Sequence, residues 1–305
     1  MTALTLIQGD GERTVTRPCR VCGVGHYGEC QILARHIEHM ALRGLAVKTR
    51  ENRVSQIRLA AAALPVPLLD AGKADLRAWR AGLRREPGGI LNSVSHVSQF
   101  LLWAVREGLI DANPADGLPV PRRPRRLPRP ISQRDLFAAL AAAPQPIRAW
   151  LVLGAFCGLR CVEIAGLKAG SVRLDEEPPV LIVTAESTKG GRTERVIPLT
   201  AFTVAELRPL AAGSGYVFRA AAGGPHQPHT ISHRANGYLR SMGIRDEFHA
   251  CRHYFGTHSY RGVRDLLAVA DLMGHASVET TALYALYDSP QARKAVESIP
   301  VPAGR

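Results

Sequence analysis

Apolar residues recur along the first third of the chain at the spacing of a helix. Val54, Ile57 and Leu59, followed by a run of alanines, lie behind Thr49, a residue type that caps helix N-termini. Between Ala74 and Arg85, Leu76, Trp79 and Leu83 fall three and four apart. Leu91 to Glu107 repeats the pattern with Val94, Val97, Leu101, Trp103 and Val105, then meets Gly108, a natural helix stop. The stretch from Gln31 to about Asn113 therefore predicts an all-helical unit. Pro119, Pro121, Pro124, Pro128 and Pro130 forbid helix next and predict an extended, semi-rigid connector. Beyond it the pattern is mixed. Ser132 with Asp135 three residues on marks a helix start, and helices are expected over 133–143, 146–157, 161–168 and 201–211. The β-rich runs Val180 to Thr184 and Arg195 to Leu199 flank a Gly-containing turn and predict an antiparallel hairpin. Helices return near 228–241, 249–260, 264–273 and 277–286. The expected fold class is mainly α with a small antiparallel β-sheet in the second unit.

Composition narrows the function. With 305 residues the chain can build two domains with real cores, and its 46% hydrophobic content is ordinary for a globular protein. No apolar run approaches the ~20 residues of a membrane span, and the N-terminus lacks a basic-then-apolar signal pattern. We therefore expect a cytoplasmic, nucleoid-associated protein with no membrane partner. Net charge is +13, which favours polyanions, because Lys and Arg near phosphates release condensed counterions. The connector adds Arg122, Arg123, Arg125, Arg126 and Arg129 between its prolines. These read as a strap along a DNA backbone; the plainer reading is a solvated tether.

Chemistry concentrates late in the chain. His249-Ala-Cys-Arg252-His253 is followed by Gly274-His275 and by Tyr284, nine residues past His275. Upstream stand Gly158-Leu-Arg160-Cys-Val-Glu163 and Thr188-Lys189-Gly-Gly-Arg192, the latter leading into Glu194-Arg195-Val-Ile-Pro-Leu199. Two arginines can hold a phosphate in bidentate forks, imidazoles can move protons, and a phenol can attack phosphorus once its proton is removed. In this order the set resembles the tyrosine recombinase (phage integrase) family, over roughly residues 35–290. Phe100 to Pro114 likewise resembles the end of that family's helical core-binding domain.

A Cys-rich arm occupies 1–30 and the Pro/Arg-rich linker 117–131, and the resemblance implies a helical core-binding domain over 31–116 and a mixed α+β catalytic domain over 132–305. The two domains would close as a C-shaped clamp on DNA. It implies that Arg160, Lys189, His249, Arg252, His275 and Tyr284 are catalytic. Arg160 and Arg252 would bind the scissile phosphate, and Glu163 would orient the site. Tyr284 would be the nucleophile, with Tyr287 its rival, and Lys189 the acid that protonates the leaving 5′-oxygen. Arg192, a DNA contact, and Arg195 are substitutes for that lysine. His249 and His275 would flank the phosphate. His253, directly after Arg252, reads as pointing elsewhere on the helix, in a packing role or supporting the residues that react. Cys161 and Cys251 read as small core residues.

The implied activity is site-specific DNA recombination through a 3′-phosphotyrosyl intermediate and a Holliday junction, with no catalytic cofactor. Partners would be double-stranded DNA carrying attachment or core sites, a homotetramer on synapsed sites, and an accessory or directionality factor. Integration and excision of a mobile element is the first reading, because the Cys-rich leader adds to a minimal recombinase. Xer-like dimer resolution is the alternative; relaxation by a type IB topoisomerase and a non-catalytic DNA-binding role stand behind it.

The leader itself reads Cys19-x2-Cys22-x3-His26-x3-Cys30. Three thiolates and an imidazole suffice for a tetrahedral structural zinc, although the second half is one residue tighter at each gap than the usual knuckle. His36 and His39 are alternative fourth ligands. Such a module would fold a segment too short for its own core, to touch outlying DNA or a neighbouring subunit.

Overall fold

The computed structural model describes residues 18–24, 30–121, 127–187, 194–221, 223–275 and 277–287. The chain divides into two compact units, Met1–Arg125 and Arg126–Arg305.

The first unit is helical: α1 (Gln31–Leu42), α2 (Val47–Ala63), α3 (Lys73–Gly82) and α4 (Pro87–Arg106), with a 3₁₀ turn over Leu68–Asp70. The periodic apolar residues become its core. Ile57, Leu76, Val97, Phe100 and Leu101 are all fully buried. Helix starts fall earlier than the pattern suggests. Thr49 lies inside α2, whose first turn is preceded by Ala46, and Pro87 opens α4, where its missing N–H costs nothing. Gly108 ends α4 as expected, in the left-handed region with φ of +68°.

The second unit runs α5 (Gln133–Ala142), α6 (Ile147–Phe156), α7 (Cys161–Ala165), β1 (Val172–Arg173), β2 (Val180–Val183), β3 (Arg195–Pro198), α8 (Ala201–Ala211), α9 (Pro228–Ser241), α10 (His249–Val263), α11 (Leu266–Met273) and α12 (Val278–Tyr287). Ser132 caps α5 by accepting the Asp135 amide, as the sequence predicts. α7 is shorter than expected and stops at Gly166. The hairpin gains a third strand, so the sheet is antiparallel in the order β1-β2-β3.

Apart from Arg148, α6 is apolar throughout and packs against α8, α9 and α10 in the core. Trp150, Leu151, Val152 and Leu153 are each completely buried there. Two features of the surrounding elements place chemistry. In β3, alternation sends Arg195 and Ile197 to the core face and leaves Val196 outside. Between α6 and α7, Gly158 adopts φ of +64°, and a Cβ there would sit 2.5 Å from Phe255. Only glycine lets this turn approach α10 so closely.

Candidate active site

The buried carboxylate of Glu163 anchors the site. As the third residue of α7 it reaches back to the amide of Arg160 at 2.8 Å, closing the helix start. Its oxygens also receive Arg160 at 2.9 Å and both terminal nitrogens of Arg195, at 3.0 and 2.8 Å. Arg252 approaches to 3.9 Å. Burial alone would raise this carboxyl. The Arg195 hydrogen bonds and charge, the Arg160 amide and the Arg252 charge together outweigh it and hold Glu163 below the usual range.

The same three guanidiniums meet a second acceptor. α11 ends at the left-handed Gly274, leaving successive carbonyls without helical partners. Leu272 O accepts from Arg195 at 2.9 Å, Met273 O from Arg252 at 2.5 Å, and Gly274 O from Arg160 at 3.2 Å. Arg252 also donates to Gly158 O. Three cations thus sit between one carboxylate and the negative end of a helix dipole. Arg252 is 2% exposed, and burial, with Arg160 beside it, lowers its pKa to about 9. Arg160 is the more open of the two phosphate candidates, its side chain 28% exposed.

α10 supplies His249, Arg252 and His253 from one face, since positions i, i+3 and i+4 lie together on a helix. This corrects the expectation for His253. It does not point elsewhere: its Nδ1 lies 3.1 Å from the Tyr284 hydroxyl, and its ring packs edge-on to His249 at 4.6 Å. Adjacency to Arg252 in sequence obscured the four-residue step from His249. His275 stacks parallel to Tyr284 at 6.4 Å between ring centroids, and its Nδ1 is held 2.8 Å from the hydroxyl of buried Thr281. Thr281 is a site residue that sequence reasoning missed; its position one turn before Tyr284 on α12 was the available signal.

Tyr284 is buried with Val269 and Met273, and burial pushes its phenol up to about 12 although Arg252 and Arg160 pull it down. Burial and nearby cations depress the imidazoles. His275 falls to about 3 and His253 to about 4, and His249 is lowered too. All three are neutral near pH 7 and able to accept a proton or a hydrogen bond. The arginines keep the pocket electropositive.

Other expectations resolve differently. Arg195 does not serve as a mobile stand-in for Lys189: it is buried and fixed by Glu163 and Leu272 O. Lys189 and Arg192 lie outside the described residues, as do Arg122, Arg123, Arg125, Arg126 and the side chain of rival Tyr287. Arg129 is described and exposed. Cys251 is fully buried and Cys161 partly so, and burial pushes their thiols to about 12 and 11. They sit in the core and are poor nucleophiles.

Residues 132–289 match the family model described as the phage integrase family. Tyrosine recombinase XerC of Mesorhizobium japonicum is 33% identical over 246 residues, 74% of this chain and 77% of that protein. The XerC of Rhodospirillum centenum is 35% identical, over 74% of this chain and 71% of its own. Among solved structures, a lambda integrase dimer bound to a COC′ core site superposes with a TM-score of 0.68 at 19% identity, covering 83% of this chain and 76% of that one. The Tn1549 transposon integrase in complex with a circular intermediate DNA gives 0.66 at 19% identity, covering 88% and 99%. At such identities these structures speak to the fold.

Two consequences can be measured. A Cβ at Gly256 would lie 2.5 Å from Tyr284 Cζ and 2.7 Å from Met273 Sδ, whereas Gly262 on the same helix faces open space. Gly256→Ala should cost about 1–3 kcal/mol in urea unfolding through overpacking. Gly262→Ala should be neutral or stabilise by up to ~1 kcal/mol through helix propensity. The second concerns acid. The fold keeps His253 and His275 neutral down to about 4 and 3, while the unfolded chain protonates them near 6.5. Unfolding therefore takes up protons below 6.5, and their effect on stability is nil above that pH and grows more unfavourable as pH falls towards 3. Melting temperature against pH should show this decline, and His253→Gln with His275→Gln should flatten it.

Proposed function

The chain belongs to the phage integrase family of tyrosine recombinases, enzymes of site-specific DNA recombination, and we propose that it works through Tyr284 as nucleophile in the pocket built on Glu163. One observation carries this reading. The Tyr284 hydroxyl lies 3.1 Å from Nδ1 of His253, and that histidine shares an α10 face with Arg252.

The chemistry follows from the geometry. A phosphodiester entering the pocket brings a negative charge, and the forks of Arg160 and Arg252 neutralise its non-bridging oxygens. That anion also raises the depressed imidazoles towards useful basicity. The Tyr284 oxygen attacks phosphorus and its proton passes to the adjacent imidazole, for which His253 is placed by contact and His249 by packing on it. The new P–O(Tyr) bond forms as the bond to the 5′-oxygen breaks, and Lys189 is the assigned donor of a proton to that leaving oxygen. The 3′-phosphotyrosyl ester retains the bond's energy, so a 5′-hydroxyl from a partner strand rejoins it without ATP. Glu163 and Arg195 do not react; they aim the other two arginines. No step as written calls on a cofactor.

The substrate is double-stranded DNA, in keeping with the net charge of +13. The assembly is a tetramer on two synapsed sites; a lambda integrase tetramer bound to a Holliday junction supports this by its shared fold. We favour integration and excision of a mobile element, supported by the Cys-rich leader. The XerC relatives favour the second reading, resolution of chromosome or plasmid dimers. Among the described residues no helix is long and apolar enough to cross a membrane.

A suicide DNA substrate, which loses its 5′-hydroxyl fragment after cleavage, should trap a covalent adduct. Tyr284→Phe should abolish the adduct and leave DNA binding nearly intact; loss of the adduct in Tyr287→Phe instead would transfer the role. Plasmid recombination assays separate the two biological readings. An integrase should join a pair of non-identical sites, whereas a dimer resolvase should act only between identical copies.

A further inference from the structure

The leader cysteines lie far along the chain from the reacting residues, yet they are built into the first unit. Cys19 and Cys22 stand on a tight loop closed by Gly23 N–H to Cys19 O at 2.8 Å and Cys19 N–H to Val24 O at 3.1 Å. Gly23 makes the turn with φ of +74°, and a Cβ there would press on Asp70 at 3.1 Å. The Val21 amide points at Cys19 Sγ from 3.4 Å, the arrangement that stabilises a thiolate. Cys30 comes from a different segment, at the N-cap of α1, where the helix dipole favours negative charge.

The three sulfurs converge. All lie within 4.8 Å of one another, and Cys22 and Cys30 are 3.8 Å apart. Zinc–sulfur bonds of ~2.3 Å at tetrahedral angles separate two sulfurs by about 3.8 Å. A disulfide needs about 2.0 Å and leaves the third thiol without a role. His36 and His39 do not join this cluster; His36 packs instead on Phe100 and Trp103. His26 lies outside the described residues.

The loop is also tied down. Its carbonyls at Arg20 and Val21 accept the amides of Leu68 and Leu69 at 2.9 and 3.0 Å, and the Arg20 guanidinium donates to Leu64 O. Val21 and Cys30 are buried in the core that holds Ile57, Leu76 and Phe100. We infer that Cys19, Cys22 and Cys30 bind a structural zinc ion that staples the leader and the start of α1 onto the 3₁₀ turn at Leu68–Asp70, as part of the helical unit's own fold. The inference is independent of the assignment of Tyr284. It replaces a free-standing accessory module with an internal brace.

The test uses the full-length protein. Elemental analysis after purification without added metal should find about one zinc per chain, falling to about 0.1 or less in Cys22→Ser. Cobalt exchanged into the site should show thiolate charge transfer in the near ultraviolet and the strong visible bands of a tetrahedral ion. Removing zinc from the unmutated protein with a chelator avoids any folding defect of the variant. It should abolish hydrogen-exchange protection at the Leu68 and Leu69 amides, leave α6 and α10 protected, and be reversed by zinc but not magnesium. Protein that neither carries zinc nor takes up cobalt would overturn the inference, as would a Cys22–Cys30 disulfide in peptides mapped without reductant. Zinc loss with unchanged exchange at Leu68 and Leu69 would overturn the brace.

Discussion

The second unit depends on how it tolerates three arginines in one partly buried pocket. Mutual repulsion and lost hydration oppose such a cluster, at several kcal/mol for each uncompensated buried ion. Glu163 offsets this with one carboxylate, and the end of α11 adds three carbonyls, each taking one guanidinium. The two acceptors belong to different elements, α7 and α11, and the arginines come from the α7 start, β3 and α10. Electrostatic pairing therefore closes the pocket as it forms. The compensation is deliberately incomplete: three positive groups face one negative one, so the site awaits an anion with its donors already oriented.

That excess and the burial around it set the state of the groups nearby. Burial first, and then the neighbouring positive groups, lower His253 and His275 to about 4 and 3 and keep both imidazoles neutral. Tyr284 keeps its proton by the same burial, which outweighs the pull of Arg252 and Arg160 and lifts the phenol to about 12. A protonated phenol and neutral imidazoles thus coexist in an electropositive pocket. Packing completes the arrangement, since Gly256 leaves the space that the Tyr284 ring fills.

The two units rely on different physics. The second is held by an ordinary apolar core around α6 and by buried charge. The first has a smaller core of four helices, and its N-terminal loop contributes almost no apolar mass beyond Val21. A short segment of this kind gains order from cross-links more readily than from burial, and three converging thiols are suited to that task.

Much was legible from the residues alone. Apolar spacing located α3 and α4 to within a few residues, two β-rich runs around a Gly-containing turn located the hairpin, and the ordered Arg, His and Tyr motifs pointed to phosphoryl transfer. These signals are local: helical and strand periods, caps and short spacings are written in consecutive residues. What the sequence left open was which distant groups meet. The β-rich run did not say which face of β3 is buried; the strand register buries Arg195, where Glu163 receives it, and leaves Val196 outside. His253 was assigned away from the site, and Thr281 was not considered, since their importance comes from contacts with Tyr284 and His275 across α10 and α12. The pairing of Leu272, Met273 and Gly274 carbonyls with three arginines involves backbone atoms that every residue carries, so no side-chain pattern encodes it. Only the tertiary structure, by bringing one helix end against one carboxylate, decided that these cations share a pocket.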